Sequence, residues 1–280
     1  MKAGSTGSIP DGITKVAKLD SHPLSILLID IGDAVSNLNA IVVGLNAVEN
    51  GYKKPASLDI SFDPDDPIFA ARKARKFAVE ATIIRASEAI TEYIDALGKL
   101  PRLESVSSKW NSNTKNAAKV GDVLTAYLGN DFLIPAAVLL VHWRNRIVHR
   151  GSNAKLETKQ KISLQTNEAQ VAKDYKGLSV DCLLCHFEER RPTLKDVSSL
   201  ISISINLARK IDAALHTNLS KADLDAWLNH YGLLPKIERV KAETKPEKLE
   251  ASIHRVFKAE APLLYEAYIM HQTARNDARN

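Results

Sequence analysis

The sequence predicts an all-α protein: a bundle of four to five long helices with an additional helical C-terminal extension. Apolar side chains recur at three-to-four spacing over long segments, alternating strand-like patterns are nearly absent, and capping residues bound the segments. With 280 residues, of which 45% are hydrophobic, the chain can bury one large core. We expect a flexible N-terminus over 1–20, a helical bundle over 21–217 with an irregular insert over 152–192, and the extension over 218–280.

The first two long helices are expected over Ser21 to Asn50 and over Pro67 to Leu97. In the first, leucine, isoleucine and valine recur every three or four residues until Gly51 ends the pattern. In the second, Asp66 and the following proline suit a helix start, and Gly98 suits its end. The expected apolar stripe of the second helix, and the acidic residues in the same helical phase, are Phe77, Ala81, Ile84, Ile94, Glu80 and Glu88.

The remaining long helices follow a weaker middle region. A shorter helix over about Lys115 to Leu128 precedes a strongly apolar helix over Phe132 to Arg150. Between Ser152 and Pro192 the periodicity weakens, and either short polar helices or a small hairpin fits. Thr193, with an aspartate three residues later, resembles a capping box and opens an amphipathic helix that runs to Leu215. Further helices are expected to start at Ser220, Pro246 and Pro262.

The apolar helix over Phe132 to Arg150 carries a cation in an unusual place. At about 100° per residue its apolar side chains form one broad arc, and Arg144 falls inside that arc. A guanidinium among aliphatic neighbours needs an acceptor, which can be a carboxylate, a phosphate or another protein chain. The arc comprises Ile134, Ala137, Leu140, Val141, Ile147 and Val148, and its edge carries His142, Asn145, Arg146 and His149.

Arg144, Asn145 and His149 together suggest phosphate chemistry. A guanidinium binds phosphate through a fork of donors, and an imidazole exchanges protons near neutral pH. Asn145 precedes His149 by four residues, so it can hold the imidazole in one orientation. The alternative is structural, because Arg144 can pair with an internal carboxylate. Candidates for that supporting carboxylate on the second helix are Glu80 and Glu88.

The hexapeptide Arg144-Asn145-Arg146-Ile147-Val148-His149, on a late core helix of a long-helix bundle, resembles the Arg-Asn-x-x-x-His motif of the HEPN superfamily. The resemblance covers roughly residues 21 to 217, and its specific part is three residues. It implies a homodimer through the motif helices with a composite, metal-independent endoribonuclease site. It also implies a toxin or phage-defence effector, with an antitoxin or regulatory protein as a possible partner.

The resemblance assigns roles to particular residues. RNA supplies the nucleophile, its 2′-hydroxyl, while His149 transfers a proton, Arg144 stabilises developing charge and Asn145 positions one of them. The alternative is a catalytically inactive helical binding or scaffold protein that contacts nucleic acid or a protein partner. Residues expected to hold the flanking RNA backbone are Arg146, Arg150, His142, Arg72, Arg75 and Lys76.

The charge and the termini limit the partners. A formal net charge of +5 permits nucleic-acid binding without requiring it. The N-terminal stretch has no continuous apolar region, and the longest apolar run, Phe132 to Val141, is much shorter than the roughly 20 residues of a membrane span. We therefore expect a cytoplasmic protein without a membrane partner.

Cys182, Cys185 and His186 form the second motif in the chain. Their spacing matches covalent haem attachment, but the missing export signal argues against haem. A zinc site would lack an obvious fourth ligand close in sequence. The remaining interpretation is two small buried thiols beside Leu183 and Leu184. We therefore expect no metal and no other cofactor.

Overall fold

The computed structural model describes residues 21–277, and every regular element within them is helical. The prediction of an all-α protein is confirmed. The segment over 1–20, predicted to be flexible, lies outside the described residues. In chain order the helices are α1 (His22–Glu49), α2 (Pro67–Leu97), α3 (Glu104–Ser107), α4 (Asn116–Leu128), α5 (Ile134–Val148), α6 (Thr158–Thr166), α7 (Glu168–Asp174), α8 (Val180–Glu188), α9 (Leu194–His216), α10 (Lys221–His230), α11 (Leu233–Glu243), α12 (Pro246–Glu260) and α13 (Tyr265–Asp277).

Side-chain caps fix the starts of three long helices where the sequence predicts them. The Ser21 side chain caps α1, and the Asp66 carboxylate accepts from the Phe69 N–H at 2.9 Å to cap α2. Thr193 and Asp196 form a reciprocal capping box at the start of α9. Each cap satisfies backbone donors that the first turn of a helix leaves without partners, so the helix begins at a defined residue.

Helix α5 lies at the centre of the bundle. It packs against α2, α4, α6 and α9, and every residue from Ile134 to Val141 is buried. Trp143 is fully buried and meets the Phe187 ring edge to face, with 5.5 Å between ring centroids. A helix that is apolar all round is buried on every side. Most of α5 is therefore buried around its whole circumference, and not only along the single apolar arc that the sequence predicts.

The segment predicted as an irregular insert folds as three short helices, α6 to α8. Of the two alternatives for this region, helices or a hairpin, the helices are correct. Their apolar side chains join the main core, so the segment closes the bundle on one side of α5. The buried side chains include Leu164, Val171, Val180, Leu183 and Phe187.

The C-terminal helices pack on the bundle. Trp227 and Phe257 are fully buried within the same contiguous core as α5. The Arg102 guanidinium donates to the Leu215 and Thr217 carbonyl oxygens at 3.1 and 3.2 Å, and so covers carbonyls at the end of α9 that the helix itself leaves without donors. The Nε of the same guanidinium lies 3.9 Å from the Asp223 carboxylate of α10, so both apolar and polar contacts hold the extension.

The α1–α2 hairpin has one buried half and one exposed half. The last buried residue of α1 is Leu38, and the next buried residue along the chain is Ala71. The predicted apolar stripe of α2 is wrong at two positions, because Phe77 is 74% exposed and Ala81 is also exposed. Small side chains on the opposite face of α2 meet the core instead. They include Ala71, Ala78, Val79, Thr82 and Ala86.

Helix α1 is the one described helix that has the length and composition to cross a membrane. Its most apolar window has a mean hydropathy of 1.7, and 22% of that window is buried within the chain. The helix packs along α2, and its Asp30 lies 3.3 Å from the Arg85 guanidinium. The absence of a membrane partner stays a prediction.

Trp143→Ala tests the central place of α5. Removing a fully buried indole leaves a cavity beside Phe187, so we expect the free energy of unfolding to fall by about 3–5 kcal/mol. Chemical denaturation measures this change. The control is Ile162→Ala at a side chain that is 56% exposed, where we expect a change within about 0.5 kcal/mol. Equal effects of the two substitutions would contradict the assignment.

Candidate functional site

Arg144 and Glu88 form the centre of the candidate site. The Arg144 Nε lies 2.7 Å from the Glu88 Oε1, and these side chains are 26% and 35% exposed. Ala137 of α5 lines a small cavity with Ile90 and Ile94 of α2, so the two helices run antiparallel. Of the two predicted carboxylates, Glu88 is therefore the acceptor for this guanidinium. Arg144 lies at the edge of the core and not inside it.

Glu80 has a different partner. Its carboxylate lies 3.7 Å from the Lys76 ammonium, one turn before it on α2. The prediction that Glu80 could support Arg144 is not what the structure shows. Glu80 and Glu88 have similar helical phase but different partners, because α5 approaches α2 at the level of Glu88, two turns further along the helix.

Asn145 and His149 lie at the end of α5. The His149 N–H donates to the Asn145 carbonyl oxygen at 3.0 Å, and the His149 backbone then leaves helical geometry, with φ −113° and ψ 98°. The Asn145 side-chain oxygen accepts from an Arg144 terminal nitrogen at 3.4 Å, a long contact. Within residues 21–277 no hydrogen bond joins the Asn145 and His149 side chains. Asn145 therefore faces the guanidinium, and the His149 imidazole is exposed.

In the described part of the chain, no hydrogen bond joins the Arg144 and His149 side chains. Arg144 lies in the last turns of α5, and His149 is the first residue after the helix, where the backbone is extended. The guanidinium faces α2, whereas the imidazole sits at the open end of α5. One copy of the chain therefore presents two accessible groups on adjoining faces.

Arg146 has a structural position. Its guanidinium donates to the Ala154 and Phe187 carbonyl oxygens at 2.7 and 2.8 Å and to the Glu188 carboxylate at 3.0 Å. The guanidinium carbon also lies 3.8 Å from the centroid of the Phe187 ring, and the side chain is only 9% exposed. The prediction that Arg146 binds RNA is corrected, because its donors are used to attach α8 to α5.

His142 is half-buried on the same helix. Its Nδ1 is buried and has no hydrogen-bond partner among the described residues. Burial, followed by the charges of Arg146 and Lys115, lowers the pKa of His142 from its usual value. His142 is therefore neutral near pH 7, which does not suit the role of an RNA phosphate contact predicted for it.

The other basic residues predicted to hold RNA divide into two groups. Arg72 and Arg150 are exposed, and the Lys76 side chain is 58% exposed. The Arg75 guanidinium instead makes two hydrogen bonds to the Glu49 carboxylate, at 2.9 and 2.8 Å, and so joins the two helices of the hairpin. This guanidinium also lowers the pKa of the Glu49 carboxyl group. Arg72, Lys76 and Arg150 are the accessible members of the predicted set.

The Cys182 and Cys185 thiols differ from the prediction. Both cysteines are exposed, while the intervening Leu183 and Leu184 are buried. The Glu189 carboxylate raises the pKa of the Cys185 thiol. The Nδ1 of His186 lies 2.9 Å from the Asp196 carboxylate. Across the described chain, no three His, Cys, Asp or Glu side chains come together in a group that could hold a metal ion.

Comparison with models of known protein families, with curated proteins and with solved structures finds no match. The resemblance of the hexapeptide over 144–149 to the HEPN motif therefore rests on this sequence alone. Function has to be argued from the side chains of the site and their surroundings.

Arg146→Ala tests the structural assignment of that arginine. The substitution leaves two carbonyl oxygens without this donor and removes one of the two cations that contact the Glu188 carboxylate, the other being Lys161, so we expect the free energy of unfolding to fall by about 2–4 kcal/mol. The control is Arg191→Ala at a side chain that is 72% exposed, where a change within about 0.5 kcal/mol is expected. Urea denaturation checks both. Wild-type stability in Arg146→Ala would return this residue to the set of RNA contacts.

His142→Gln tests the pKa of the buried imidazole. Because the folded state lowers this pKa, the unfolded chain takes up the proton first as the pH falls below the ordinary value of 6.5. His142 thus costs stability in acid, and the variant should become more stable relative to wild type between pH 7.5 and pH 5. Denaturation at several pH values, with His230→Gln at an exposed position as control, measures this trend. A constant difference would contradict the assignment.

Proposed function

We propose that this protein is a metal-independent endoribonuclease of HEPN type that cleaves RNA by attack of the 2′-hydroxyl. The observation that carries the proposal is the placement of Arg144 and His149. In the last turns of an otherwise buried helix, a half-exposed guanidinium and an exposed imidazole flank Asn145. These side-chain types suit phosphate binding and proton transfer without a metal ion.

The Glu88 carboxylate defines which part of Arg144 can meet a phosphate. It accepts from Nε at 2.7 Å and so leaves the two terminal nitrogens of a side chain that is 26% exposed for other acceptors. One of them is already near the Asn145 side-chain oxygen. A phosphate oxygen placed between Arg144 and Asn145 would receive donors from both, since the Asn145 amide can also present its NH₂ group.

The chemistry follows from the groups present. The 2′-hydroxyl of RNA attacks the adjacent phosphorus and expels the 5′-oxygen of the next nucleotide. His149 accepts or donates the proton in this transfer, a role typically worth about 10² to 10⁴ in rate. Arg144 stabilises the negative charge that grows on the phosphoryl oxygens. The products are a 2′,3′-cyclic phosphate and a 5′-hydroxyl.

A second copy of the chain belongs to the proposal. Because the Arg144 guanidinium contacts Glu88 of α2 while His149 is exposed just after α5, a homodimer through the ends of the α5 helices would let the arginine of one copy and the histidine of the other share a phosphate. The apolar surface that Val148 exposes, 44% of that residue, lies at this end of α5. The toxin or phage-defence role, with an antitoxin or regulatory protein as partner in the cytoplasm, belongs to the same proposal.

The Arg144–Glu88 ion pair favours the second candidate function. A carboxylate at 2.7 Å is by itself a sufficient reason for an arginine at the edge of a core. In this alternative the chain is a catalytically inactive binding or scaffold protein, and its basic surface contacts nucleic acid or a protein partner. The two functions differ in whether RNA acquires new ends.

Cleavage of mixed cellular RNA in the presence of EDTA tests the proposal. We expect wild type to generate 2′,3′-cyclic phosphate and 5′-hydroxyl ends, and we expect Arg144→Ala and His149→Ala each to lose at least about 100-fold in rate. Arg239→Ala, at an exposed arginine on α11 of the C-terminal extension, should cleave like wild type. Thermal unfolding of each variant checks that it is folded.

Two results would contradict the ribonuclease. One is cleavage that stops with EDTA, and the other is cleavage that persists undiminished in His149→Ala. RNA binding by a folded wild type that makes no new ends, together with expression toxicity that neither substitution relieves, would support the binding protein instead.

A further inference from the structure

The first turns of α2 expose two aromatic rings on one face. Phe69 is 65% exposed and Phe77 is 74% exposed, and none of the described core residues covers either ring. Eight helical positions place them about 12 Å apart along the axis and about 80° apart around it. Large exposed apolar side chains in such an arrangement are typical of a contact surface.

Basic side chains lie between the two rings. Arg72 and Lys73 are exposed, and the Lys76 side chain is 58% exposed. Two nearby carboxylates have partners, since Glu80 lies 3.7 Å from Lys76 and the Asp66 carboxylate caps the helix. The face therefore combines ring surfaces with accessible positive charge. We call Phe69, Arg72, Lys73, Lys76 and Phe77 the α2 platform.

Resting on the proposed ribonuclease function, we propose that the α2 platform binds an unpaired RNA strand and so selects single-stranded RNA as the substrate. Bases stack on Phe69 and Phe77, and the backbone phosphates meet the intervening cations. A base within a duplex is stacked between its neighbours and cannot lie on a side-chain ring. The charge of the platform complements RNA, and its rings suit only an opened strand.

The platform is aligned with the candidate site. Phe77 and Glu88 are eleven positions apart, which corresponds to about 20° around α2 and about 16 Å along it. They therefore share one face of the helix, and Glu88 holds Arg144. An RNA strand that follows α2 from the platform reaches the guanidinium. The platform would thus hold the nucleotides on one side of the scissile phosphate.

Two other occupants fit the charges less well. In a two-fold contact between copies through this face, Lys73 and its neighbouring cations would come opposite the same cations of the second copy. An anionic membrane would attract these cations, but the adjoining loop exposes Asp59, Asp63 and Asp65 on the approach to the helix. The phosphate backbone of a flexible strand can follow the cations and avoid the loop.

Binding of a 12-nucleotide RNA tests the platform. We would use a fluorescent strand with 2′-O-methyl groups, which removes the 2′-hydroxyl nucleophile, either alone or paired with its complement. Phe69→Leu and Phe77→Leu keep the surface apolar but remove the ring, so each should weaken binding of the unpaired strand about fivefold or more. Phe77→Tyr should retain binding. The matched control is Phe62→Leu, at an exposed phenylalanine outside the platform.

Salt dependence tests the cations independently. Lys73→Gln should reduce the slope of log affinity against log salt by about 0.7, the value expected for one phosphate contact with a single strand. Lys159→Gln, at an exposed lysine on α6, should leave the slope unchanged. An unchanged slope in Lys73→Gln would overturn the placement of a phosphate at this residue.

Several outcomes would overturn the platform. The first is that both leucine variants bind the unpaired strand as well as wild type does. The second is that wild type binds the duplex as tightly as the unpaired strand, or does not bind the unpaired strand at all. The third is that the leucine variants keep RNA binding but lose dimer formation or binding to anionic vesicles. Because the 2′-O-methyl strand cannot be cleaved, the result is separate from the end-mapping assay. If RNA is cleaved normally but the leucine variants bind like wild type, only the platform proposal is wrong. If the platform residues bind the unpaired strand but no new RNA ends appear, only the ribonuclease proposal is wrong.

Discussion

The burial of α5 on every side is the constraint on which the rest of the structure depends. A helix with apolar residues around its whole circumference has to be enclosed, and α2, α4, α9 and the short helices after residue 150 provide the enclosure. The enclosure ends where the helix ends. The hexapeptide therefore lies at the end of α5 where side chains such as Arg144 and His149 reach the surface.

Arg144 and Arg146 are close in sequence but have different surroundings in this arrangement. Two positions along the helix place them about 160° apart, so one guanidinium faces α2 and the other faces α8. Arg146 is enclosed by two carbonyls, a carboxylate and an aromatic ring and is 9% exposed, whereas Arg144 has one carboxylate partner and is 26% exposed. The same residue type thus joins two helices at one position and stays partly exposed at the other.

Much of the fold was predictable because its signals are local. Caps such as Ser21 and Asp66 and the three-to-four spacing of leucine and isoleucine fix helix boundaries without knowledge of the neighbours. The carboxylate for Arg144 was one of two named candidates, because residues in one helical phase are few. The surroundings of His149 were less predictable, because they depend on where α5 ends and on which segments fold against that end.

The errors come from contacts between distant segments. Large apolar residues are usually buried, which predicts Phe77 in the core, but the face of α2 that is buried carries smaller side chains such as Ala78 and Thr82. Arg146 was assigned to RNA because nothing local indicates that α8 folds back onto α5. The exposure of Cys182 and Cys185 likewise depends on which face of α8 meets the core. These features require the fold, and periodicity alone does not supply it.

The exposed half of the α1–α2 hairpin also has a consequence for motion. Between Leu38 and Ala71 no side chain is buried, and the paired hydrogen bonds from Arg75 to Glu49 are a principal tie between the two helices there. Regions with few buried contacts open at lower free energy than a central helix, so amide hydrogens should exchange in a gradient from the hairpin end toward α5. An RNA strand bound to α2 would reduce the motion of the exposed end of the hairpin. Ordering that end costs free energy, so the measured affinity for a short RNA would be lower than the individual contacts alone would give.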